Sequence, residues 1–475
     1  MFITRNKAFL GMWPDNANIC ETLVGLNEQL QPTPVLATKW TLVGANTFRF
    51  DLRRGVKFQD GTPLTAEAIR YSMNRVVTLK QTLNTFLGPD STKVVDDFTV
   101  DITPTRTNLR LPEQIAHPFF SIIAPGTDPA DRPVCTGPFT YSSYTPNDRL
   151  VVDRNDGYWG PKAKLRQMTL RFIPDQNTRL LALESGAIDL EWFLAPQTAA
   201  DVKKRPGIRV APAPPGAVVV VSMNIHGTAP NDVLQDPDVR RALAMSFDAK
   251  ALATQQWQGT AEAVATVSPP SVLGRFAFQV KPIPTDVAKA GQLLDARGWK
   301  VGSDGIRQKD GRKLSLSTVA QFDFEQESLQ FLQAQARRAG IDLSIQIAPD
   351  GGAYSQRINS GGWDVDVNYW NQNDANPARI PSLLWYGKTT QPRIKYTAAG
   401  DKFDTLVDQA AAAPDAATAA ARSAEAQQVL IDDQVDAIPL TNFPQIYALK
   451  TTVAGFSPHP SVNSQPWTSV YRTGG

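Results

Sequence analysis

Hydrophobic and polar residues alternate over residues 48–58. One turn signal interrupts the alternation, and a second follows it. Successive side chains of a strand point to opposite faces, so the apolar residues share one face of a predicted strand. These residues are Phe48, Phe50 and Leu52. An Arg-Gly pair and an Asp-Gly pair mark turns around a second short strand. Thr65 then predicts the start of a helix, because apolar residues recur at helical spacing up to Val76.

Predicted strands alternate with predicted helices along much of the remaining chain. The apolar, β-branched run over residues 218–224 is typical of a strand buried on both faces. Asp236 and Pro237 predict the start of a helix, with a capping residue before a proline that the first turn tolerates. Strands and helices alternate again over residues 285–347. The pattern predicts an α/β fold with parallel strands, whose ligand sites lie at the carboxyl ends of the strands.

The order of residue types over residues 48–75 resembles the family 5 extracellular solute-binding proteins, which are the dipeptide, oligopeptide and nickel receptors of ABC importers. The segment reads FRFDLRRGVKFQDGTPLTAEAIRYSMNR, with Glu67 where the family more often has aspartate. Residues 155–159 and 231–248 are similar to two further family patterns. The resemblance implies a periplasmic-binding-protein-like, two-lobed α/β fold with an additional α+β domain, as in the peptide receptors.

The resemblance also implies an order of domains along the chain. The expected segments are residues 1–31 in lobe I, 32–153 in the extra domain, 154–224 in lobe I, 225–440 in lobe II and 441–475 in lobe I. We expect the chain to cross between the lobes near residues 224–227 and 440–443. Two crossings of this kind form a hinge, so the lobes are expected to close over a bound solute.

Composition narrows the function classes. A chain of 475 residues with 42% hydrophobic residues can build two or three hydrophobic cores. Its net charge of +2 gives no electrostatic case for binding nucleic acid or an anionic membrane. Residues 1–5 lack the features of an export signal. Given the resemblance, we expect a periplasmic or extracellular protein whose signal, with or without a lipid anchor, has been removed before Met1; the alternative is a cytosolic protein that never had one.

The two cysteines, Cys20 and Cys135, are too few for a disulfide scaffold or a cysteine zinc site. Cys20 falls in a predicted helix over residues 18–26, and Cys135 opens a Cys-Thr-Gly-Pro-Phe run where the family usually begins with glycine. An even pair of cysteines in an exported protein tends to oxidise. A bridge and two separate buried thiols both stay open, because separation in sequence does not give distance in space.

The sequence contains no catalytic or phosphate-binding motif. The histidines, His117, His226 and His459, lie far apart and offer little for a metal site or for histidine catalysis. Asp364 and Asp366 lie two positions apart in one predicted strand, and this spacing alone does not predict a catalytic pair of carboxylates. We expect no catalysis, no metal and no cofactor; the competing hypothesis is a hydrolase or transferase acting on a similar solute.

Residues 361–387 resemble a strand and binding loop of the family's second lobe. In the peptide receptors, the aspartate four residues before the loop proline pairs with the α-ammonium group of the ligand. This chain has Asn373 at that position and Asp374 one residue later. Either Asp374 has taken over the role, or the solute has no ammonium group here and is rich in amide or hydroxyl groups, as an opine-like or sugar conjugate is.

The resemblance implies ligand-binding residues in two loops. The opening loop contributes Met12, Trp13 and Asp15, and the second-lobe segment contributes Tyr369, Trp370, Asn371, Asn373 and Asp374. We expect Trp370 to form an apolar or stacking wall. The alternatives are that Trp13 packs under its own loop and that Trp370 belongs to the core. The expected protein is a monomer that delivers a small molecule or peptide to the permease subunits of an ABC transporter.

Overall fold

The structure is a computed structural model. It describes residues 17–78, 86–127, 132–146, 148–173, 175–320, 326–349, 351–389 and 391–474. The predicted ligand residues Met12, Trp13 and Asp15 lie outside the described residues.

The described residues form strands that group into small antiparallel sheets and one larger mixed sheet. In chain order the strands are β1 (Val24–Leu26), β2 (Pro32–Pro34), β3 (Ala37–Leu42), β4 (Phe48–Leu52), β5 (Thr92–Asp96), β6 (Thr99–Ile102), β7 (Phe139–Thr145), β8 (Arg149–Arg154), β9 (Gln167–Arg171), β10 (Leu190–Trp192), β11 (Ile208–Pro212), β12 (Ala217–Met223), β13 (Glu262–Ala263), β14 (Lys300–Val301), β15 (Arg307–Lys309), β16 (Arg312–Lys313), β17 (Ser315–Val319), β18 (Asp342–Ser344), β19 (Val365–Asn371), β20 (Ala437–Phe443), β21 (Ile446–Lys450), β22 (Val453–Ala454) and β23 (Tyr471–Arg472).

The α-helices of the described residues surround these sheets. In chain order they are α1 (Ala66–Thr78), α2 (Leu111–Gln114), α3 (Gln176–Ser185), α4 (Pro196–Val202), α5 (Pro237–Ser246), α6 (Ala249–Gln255), α7 (Pro270–Leu273), α8 (Val287–Ala296), α9 (Gln326–Arg338), α10 (Gly351–Ser360), α11 (Arg379–Trp385), α12 (Ile394–Thr397), α13 (Asp401–Ala411) and α14 (Ala416–Gln428). Among these residues, no helix is both long enough and apolar enough to span a bilayer.

A six-stranded sheet with the order β13-β20-β12-β19-β17-β18 forms the centre of the second lobe. Strand β17 is parallel to both β18 and β19, and α9 and α10 make the connections between these three strands. The predicted alternation of helices and parallel strands is therefore correct for this part of the sheet. Strands β12, β13 and β20 join in antiparallel pairs, so the sheet is mixed. Hydrophobic cores cover both of its faces.

The chain crosses into this sheet earlier than the sequence predicts. Strand β12 lies inside the sheet, with β19 on one edge and β20 on the other, and all its residues are buried. The first crossing, predicted near residues 224–227, therefore follows a strand that already belongs to the second-lobe sheet, whereas the second, predicted near residues 440–443, falls at the end of β20. A buried β-branched run identifies a central strand, but strands far away in sequence decide which sheet it joins.

The extra α+β domain has its own core, built by residues 23–124. Its four-stranded antiparallel sheet has the order β3-β4-β6-β5, and α1 packs against it. Strand β4 and helix α1 match the strand and helix predicted from residues 48–76. The second short strand does not form, because only a single bridge joins Lys57 to Pro63. Val56 and Phe58 are nevertheless buried, so their apolar pattern reports packing rather than strand pairing.

The core of the first lobe gathers three distant parts of the chain. Residues 17–20, 135–213 and 446–470 contribute to it. Its sheets have the orders β7-β8-β9 and β10-β21-β11, and both are antiparallel. Helix α3 matches its prediction, since Asp175 accepts a hydrogen bond from Thr178 N and Gly186 ends the helix with φ 79°. A glycine adopts this left-handed conformation at little cost.

Cys20 and Cys135 are joined in a disulfide, with their Cα atoms 4.8 Å apart. Of the two alternatives left open by the sequence, this geometry corresponds to the bridge. The predicted helix over residues 18–26 is wrong, because β1 occupies the end of this segment and Asn18 has φ 54°. The bridge therefore ties an extended segment of the first lobe to the Cys-Thr-Gly-Pro-Phe run.

A buried carboxylate beside the disulfide connects the family-like motifs of the first lobe. Glu21 accepts hydrogen bonds from Thr136 Oγ1, at 2.7 Å, from Tyr158 OH, at 2.7 Å, and from Trp159 Nε1, at 2.9 Å. Burial raises the pKa of Glu21, while these donors lower it. Thr136, Tyr158 and Trp159, which belong to two separate motifs, thus all donate to the same carboxylate.

Candidate functional site

The second-lobe site lies where β19 ends, but its two aromatic residues face apart. Tyr369 packs beside Trp257 and Phe443, with ring centroids 6.0 Å and 5.3 Å away. Trp370 packs against the core on the other face of the sheet, opposite Val218 of β12. Successive residues of a strand point to opposite faces, so these two rings do not form one wall.

Trp370 is half-buried, and its Nε1 atom is buried with no hydrogen-bond partner among the described residues. A buried indole N–H usually has a partner, so this atom is suited to meet a solute or a water molecule. The expectation of an apolar wall at Trp370 stays a prediction.

The loop at residues 371–378 holds itself in one conformation. Gln372 N donates to Gly216 O, at 2.9 Å, which ties the loop to the first crossing segment. Gln372 Nε2 donates to Asp374 O, at 2.9 Å, to Asp374 Oδ1, at 3.1 Å, and to Asn376 O, at 2.9 Å. Asn371 Oδ1 accepts from Gln445 Nε2, at 2.8 Å, in the second crossing segment. The loop is thus anchored at both places where the chain passes between lobes.

Asp374 is paired with Arg379, the first residue of the helix that follows the loop. Arg379 Nε lies 3.3 Å from Asp374 Oδ2, and Arg379 Nη1 donates to Asn371 O at 2.7 Å. Asn376 N donates to Asp374 Oδ1 at 2.9 Å. Asp374 is 4% exposed and Arg379 is 9% exposed. Both oxygens of the carboxylate are therefore occupied by groups of the second lobe itself.

Residues of the extra domain lie next to the Asp374–Arg379 pair. Arg379 Nη2 lies 3.3 Å from His117 Nε2, and Ala375 N donates to Glu113 O at 3.4 Å. A cavity of about 30 Å³ between the two parts has Asp374, Arg379 and His117 in its lining. A space of this volume is large enough to hold a water molecule.

Burial is the largest cause of the pKa shifts of Asp374, Glu113 and His117. It raises the pKa of Asp374 to about 7, although Arg379 and the hydrogen bonds of the loop act in the opposite direction. It also raises the pKa of Glu113. Burial and then the charge of Arg379 lower the pKa of His117 well below its usual value, so this histidine is neutral. These shifts favour the neutral forms of Asp374, Glu113 and His117, and Arg379 remains the cation of the cluster.

Asn373 turns toward the first lobe instead. It is 7% exposed, and its Oδ1 accepts a hydrogen bond from Ser461 Oγ at 3.2 Å. Ser461 N donates to His459 Nδ1 at 3.0 Å, so the proton of this imidazole lies on Nε2, which donates to Asn27 O at 2.9 Å. Burial lowers the pKa of His459 and keeps it neutral. Asn373 thus meets an uncharged segment of the first lobe.

Of the predicted residues, the structure brings Asn371, Asn373 and Asp374 together in one loop. The sequence reasoning missed Arg379, although a signal exists. An arginine in the first turn of a helix is unfavourable beside the positive end of the helix dipole, and Arg379 begins α11. Such a violation points to a nearby carboxylate. Ser461 had no comparable signal, because it lies 88 residues from its partner Asn373.

The described residues hold no group of three or more metal-ligating side chains placed to bind a metal ion. Asp364 and Asp366 belong to separate networks. Asp364 Oδ2 accepts from Ser317 Oγ at 2.8 Å and from Asn231 Nδ2 at 3.0 Å. Asp366 is paired with Arg393 and Tyr354. These two carboxylates do not form a catalytic pair.

The raised pKa of Asp374 predicts a pH-dependent difference between the wild type and an Asp374→Asn variant. In the unfolded chain the carboxyl group ionises near pH 4, whereas in the folded protein its pKa is about 7. The folded state retains the proton longer, so the stability of the wild type relative to the variant falls as the pH rises from about 4 to about 7. Urea unfolding at several pH values measures this difference, and a difference that grows with pH would contradict it.

Comparison with known proteins identifies the family. Residues 31–392 match the family described as "Bacterial extracellular solute-binding proteins, family 5 Middle". The chain belongs to this family. The resemblance inferred from residues 48–75 is therefore confirmed. A relative among family 5 solute-binding proteins is the glutathione-binding protein GsiB of Salmonella choleraesuis (strain SC-B67), 30% identical over 351 residues. The match covers 72% of this chain and 65% of GsiB, so it spans slightly less than two thirds of that relative.

Solved structures of family 5 solute-binding proteins share the fold over nearly the whole chain. The periplasmic binding protein DppA of Helicobacter pylori, in complex with the peptide STSA, is 23% identical, with a TM-score of 0.81 over 96% of this chain and 92% of DppA. AgaA of A. tumefaciens R10, in complex with agropinic acid, is 21% identical, with a TM-score of 0.81 over 98% of this chain and 95% of AgaA. These likenesses confirm the two-lobed fold with an extra domain.

Proposed function

We propose that this chain is the solute-binding protein of an ABC importer. It captures a small polar solute between its two lobes and delivers it, chemically unchanged, to a membrane permease. The observation that carries the proposal is the position of the loop at residues 371–378. This polar loop joins the second lobe to both crossing segments, through Gly216 and Gln445, and to the first lobe, through Ser461. A solute held there contacts both lobes and favours the closed state.

The domain boundaries follow the hydrophobic cores in this proposal. Lobe I combines residues 17–20, 135–213 and 446–470, the extra domain spans residues 23–124, and lobe II spans residues 217–443. Residues 213–216 and 444–445 then form the hinge. Short crossings of this kind absorb the change in backbone angles when the lobes close.

The solute class is peptide or peptide-like, including opine-like and sugar conjugates. Relatives are named for, or hold, glutathione, the peptide STSA and agropinic acid. The loop of this chain offers the amide groups of Asn371 and Asn373, which suit a ligand with its own amides or hydroxyls. The protein acts as a monomer outside the cytoplasm, in the periplasm or anchored to a membrane by a lipid, and catalyses no reaction.

Thermal unfolding with a panel of solutes, including glutathione, short peptides and agropinic acid, tests the proposal. A bound solute at a concentration 100 times its Kd stabilises the folded state by about 2.7 kcal/mol. We expect one chemical class to raise the Tm and, in solution scattering, to reduce the radius of gyration as the lobes close. A panel in which no solute changes either quantity would count against this function.

A further inference from the structure

We propose that the extra domain is a latch for the second lobe. Its segment at residues 106–110 holds the C-terminal end of α13 while the lobes are closed, and releases this end when the lobes open. The inference rests on the proposed function, because it gives the extra domain a part in the hinge motion. The latch comprises Arg106, Leu109 and Arg110 together with the second-lobe groups that they contact.

Helix α13 ends at the interface with the extra domain. The last carbonyl groups of a helix have no partner within the helix, and they carry a partial negative charge. Leu109 N donates to Ala411 O at 2.7 Å, so a donor from outside the second lobe satisfies one of these carbonyls. Arg110 Nη2 donates to Pro414 O at 3.3 Å, just beyond the helix. The extra domain therefore supplies both a hydrogen-bond donor and a positive charge to the end of α13.

An ion pair reinforces this contact. Arg106 Nη1 lies 2.9 Å from Asp408 Oδ1 in the last turn of α13. The guanidinium group of Arg106 also lies over the ring of Tyr386, 4.4 Å from its centroid. Lys388 Nζ contacts the other oxygen of Asp408 at 2.7 Å, within the second lobe. Opening the latch therefore leaves Asp408 with a counter-charge, which keeps the cost of opening moderate.

The extra domain meets the second lobe at a second place as well. Ala375 N donates to Glu113 O at 3.4 Å, and Arg379 Nη2 lies 3.3 Å from His117 Nε2. This contact joins the same two domains as the latch but uses other segments of the chain. If the second lobe moves as a rigid body, both contacts form and break together.

The extra domain is fixed to the first lobe. Gln59 N donates to Cys135 O at 2.9 Å. Gln59 Nε2 donates to Ile19 O at 3.1 Å and to Phe139 O at 2.8 Å. The disulfide between Cys20 and Cys135 joins the segments through which the chain enters and leaves the extra domain. Motion about the hinge therefore moves the second lobe relative to both other domains and strains the latch.

Hydrogen exchange with single-amide resolution, on the full chain without added solute, tests the latch. The reporter amides are Leu109 N, in the latch, and Ala375 N, in the second contact. Thr105 N, which donates to Phe86 O at 2.8 Å within the extra domain, is the internal reference. In Arg106→Gln we expect both reporter amides to exchange faster by the same factor, about threefold to tenfold. The exchange of the reference amide should not change.

Two further variants separate the latch from a general loss of stability. Asp408→Asn removes the charge on the other side of the ion pair, so it should also release both reporter amides, and it replaces Arg106→Gln if that variant fails to fold. Arg49→Gln is the matched control, because Arg49 Nε lies 2.8 Å from Asp101 Oδ1 within the sheet of the extra domain. We expect the reporter amides of this control to exchange at the wild-type rate.

Two results would overturn the inference while leaving the proposed function intact. The first is a wild-type exchange rate for both reporter amides in every latch variant that folds. The second is faster exchange of Leu109 alone, since its segment would then fray without any movement of the second lobe. Failure of the proposed function looks different, because no solute of the thermal panel would then bind the wild type, whatever the exchange rates are. The latch falls with the proposed function in that case.

Discussion

Replacing Arg393 with methionine is expected to destabilise the protein by about 3–5 kcal/mol, because it leaves a buried carboxylate without its cation. Asp366 lies in β19, the strand that leads into the binding loop, and its side chain is 0% exposed. Arg393 Nη2 donates to Asp366 Oδ2, and Tyr354 OH donates to the same oxygen at 3.1 Å. Urea unfolding, followed by circular dichroism, measures the loss.

Two controls separate the lost charge partner from the lost volume. Arg422→Met removes an arginine from an exposed pair with Glu425, and we expect a cost below about 1 kcal/mol. Adding Asp366→Asn to Arg393→Met removes the unpaired charge and should recover part of the stability. Equal losses for Arg393→Met and Arg422→Met would show that the buried pair does not stabilise β19.

Replacing Gly216 with alanine should weaken solute binding by about tenfold or more, because one crossing segment approaches the first lobe too closely for a side chain. An added Cβ atom would lie 2.4 Å from Pro460 O. Relief of this clash moves the segment that carries Ser461 away from Asn373, and it also disturbs the bond from Gln372 N to Gly216 O. Calorimetry with a solute found in the thermal panel measures the loss.

Gly362→Ala is the matched control for this variant. Its Cβ atom would meet only Ser360 Oγ, at 3.6 Å, which is an ordinary contact. We expect its affinity to match the wild type. If both variants bind the solute like the wild type, the contact between Gly216 and Pro460 does not support the site.

Local signals in the sequence predicted the elements that depend on local chemistry. Alternation identified β4, a capping aspartate and a terminal glycine identified α3, and the Asp-Pro pair identified α5. The helix predicted over residues 18–26 failed because the positive φ of Asn18 and the pairing of β1 with β2 follow from tertiary contacts. The first crossing was misplaced for a related reason, since the strand partners of β12 come more than a hundred residues later.

The binding loop was also predicted only as far as local sequence signals reach. The sequence located the loop and identified Asn373 and Asp374 as candidate ligand-binding residues. It left open which of them meets the solute, because the answer depends on where each side chain points. The pairing of Asp374 with Arg379 is local, only five residues apart, and was within reach of sequence reasoning. The contact between Asn373 and Ser461 depends on how the chain returns to the first lobe.

In the proposed function, the protein binds a solute between its lobes and releases it unchanged. Native mass spectrometry of the protein with the solute selected by the thermal panel tests this most directly, followed by mass analysis of the solute after prolonged incubation. We expect one solute molecule per chain, and a released solute whose mass and amount equal those added. A solute consumed with the appearance of hydrolysed or transferred products would contradict the account and establish an enzyme instead.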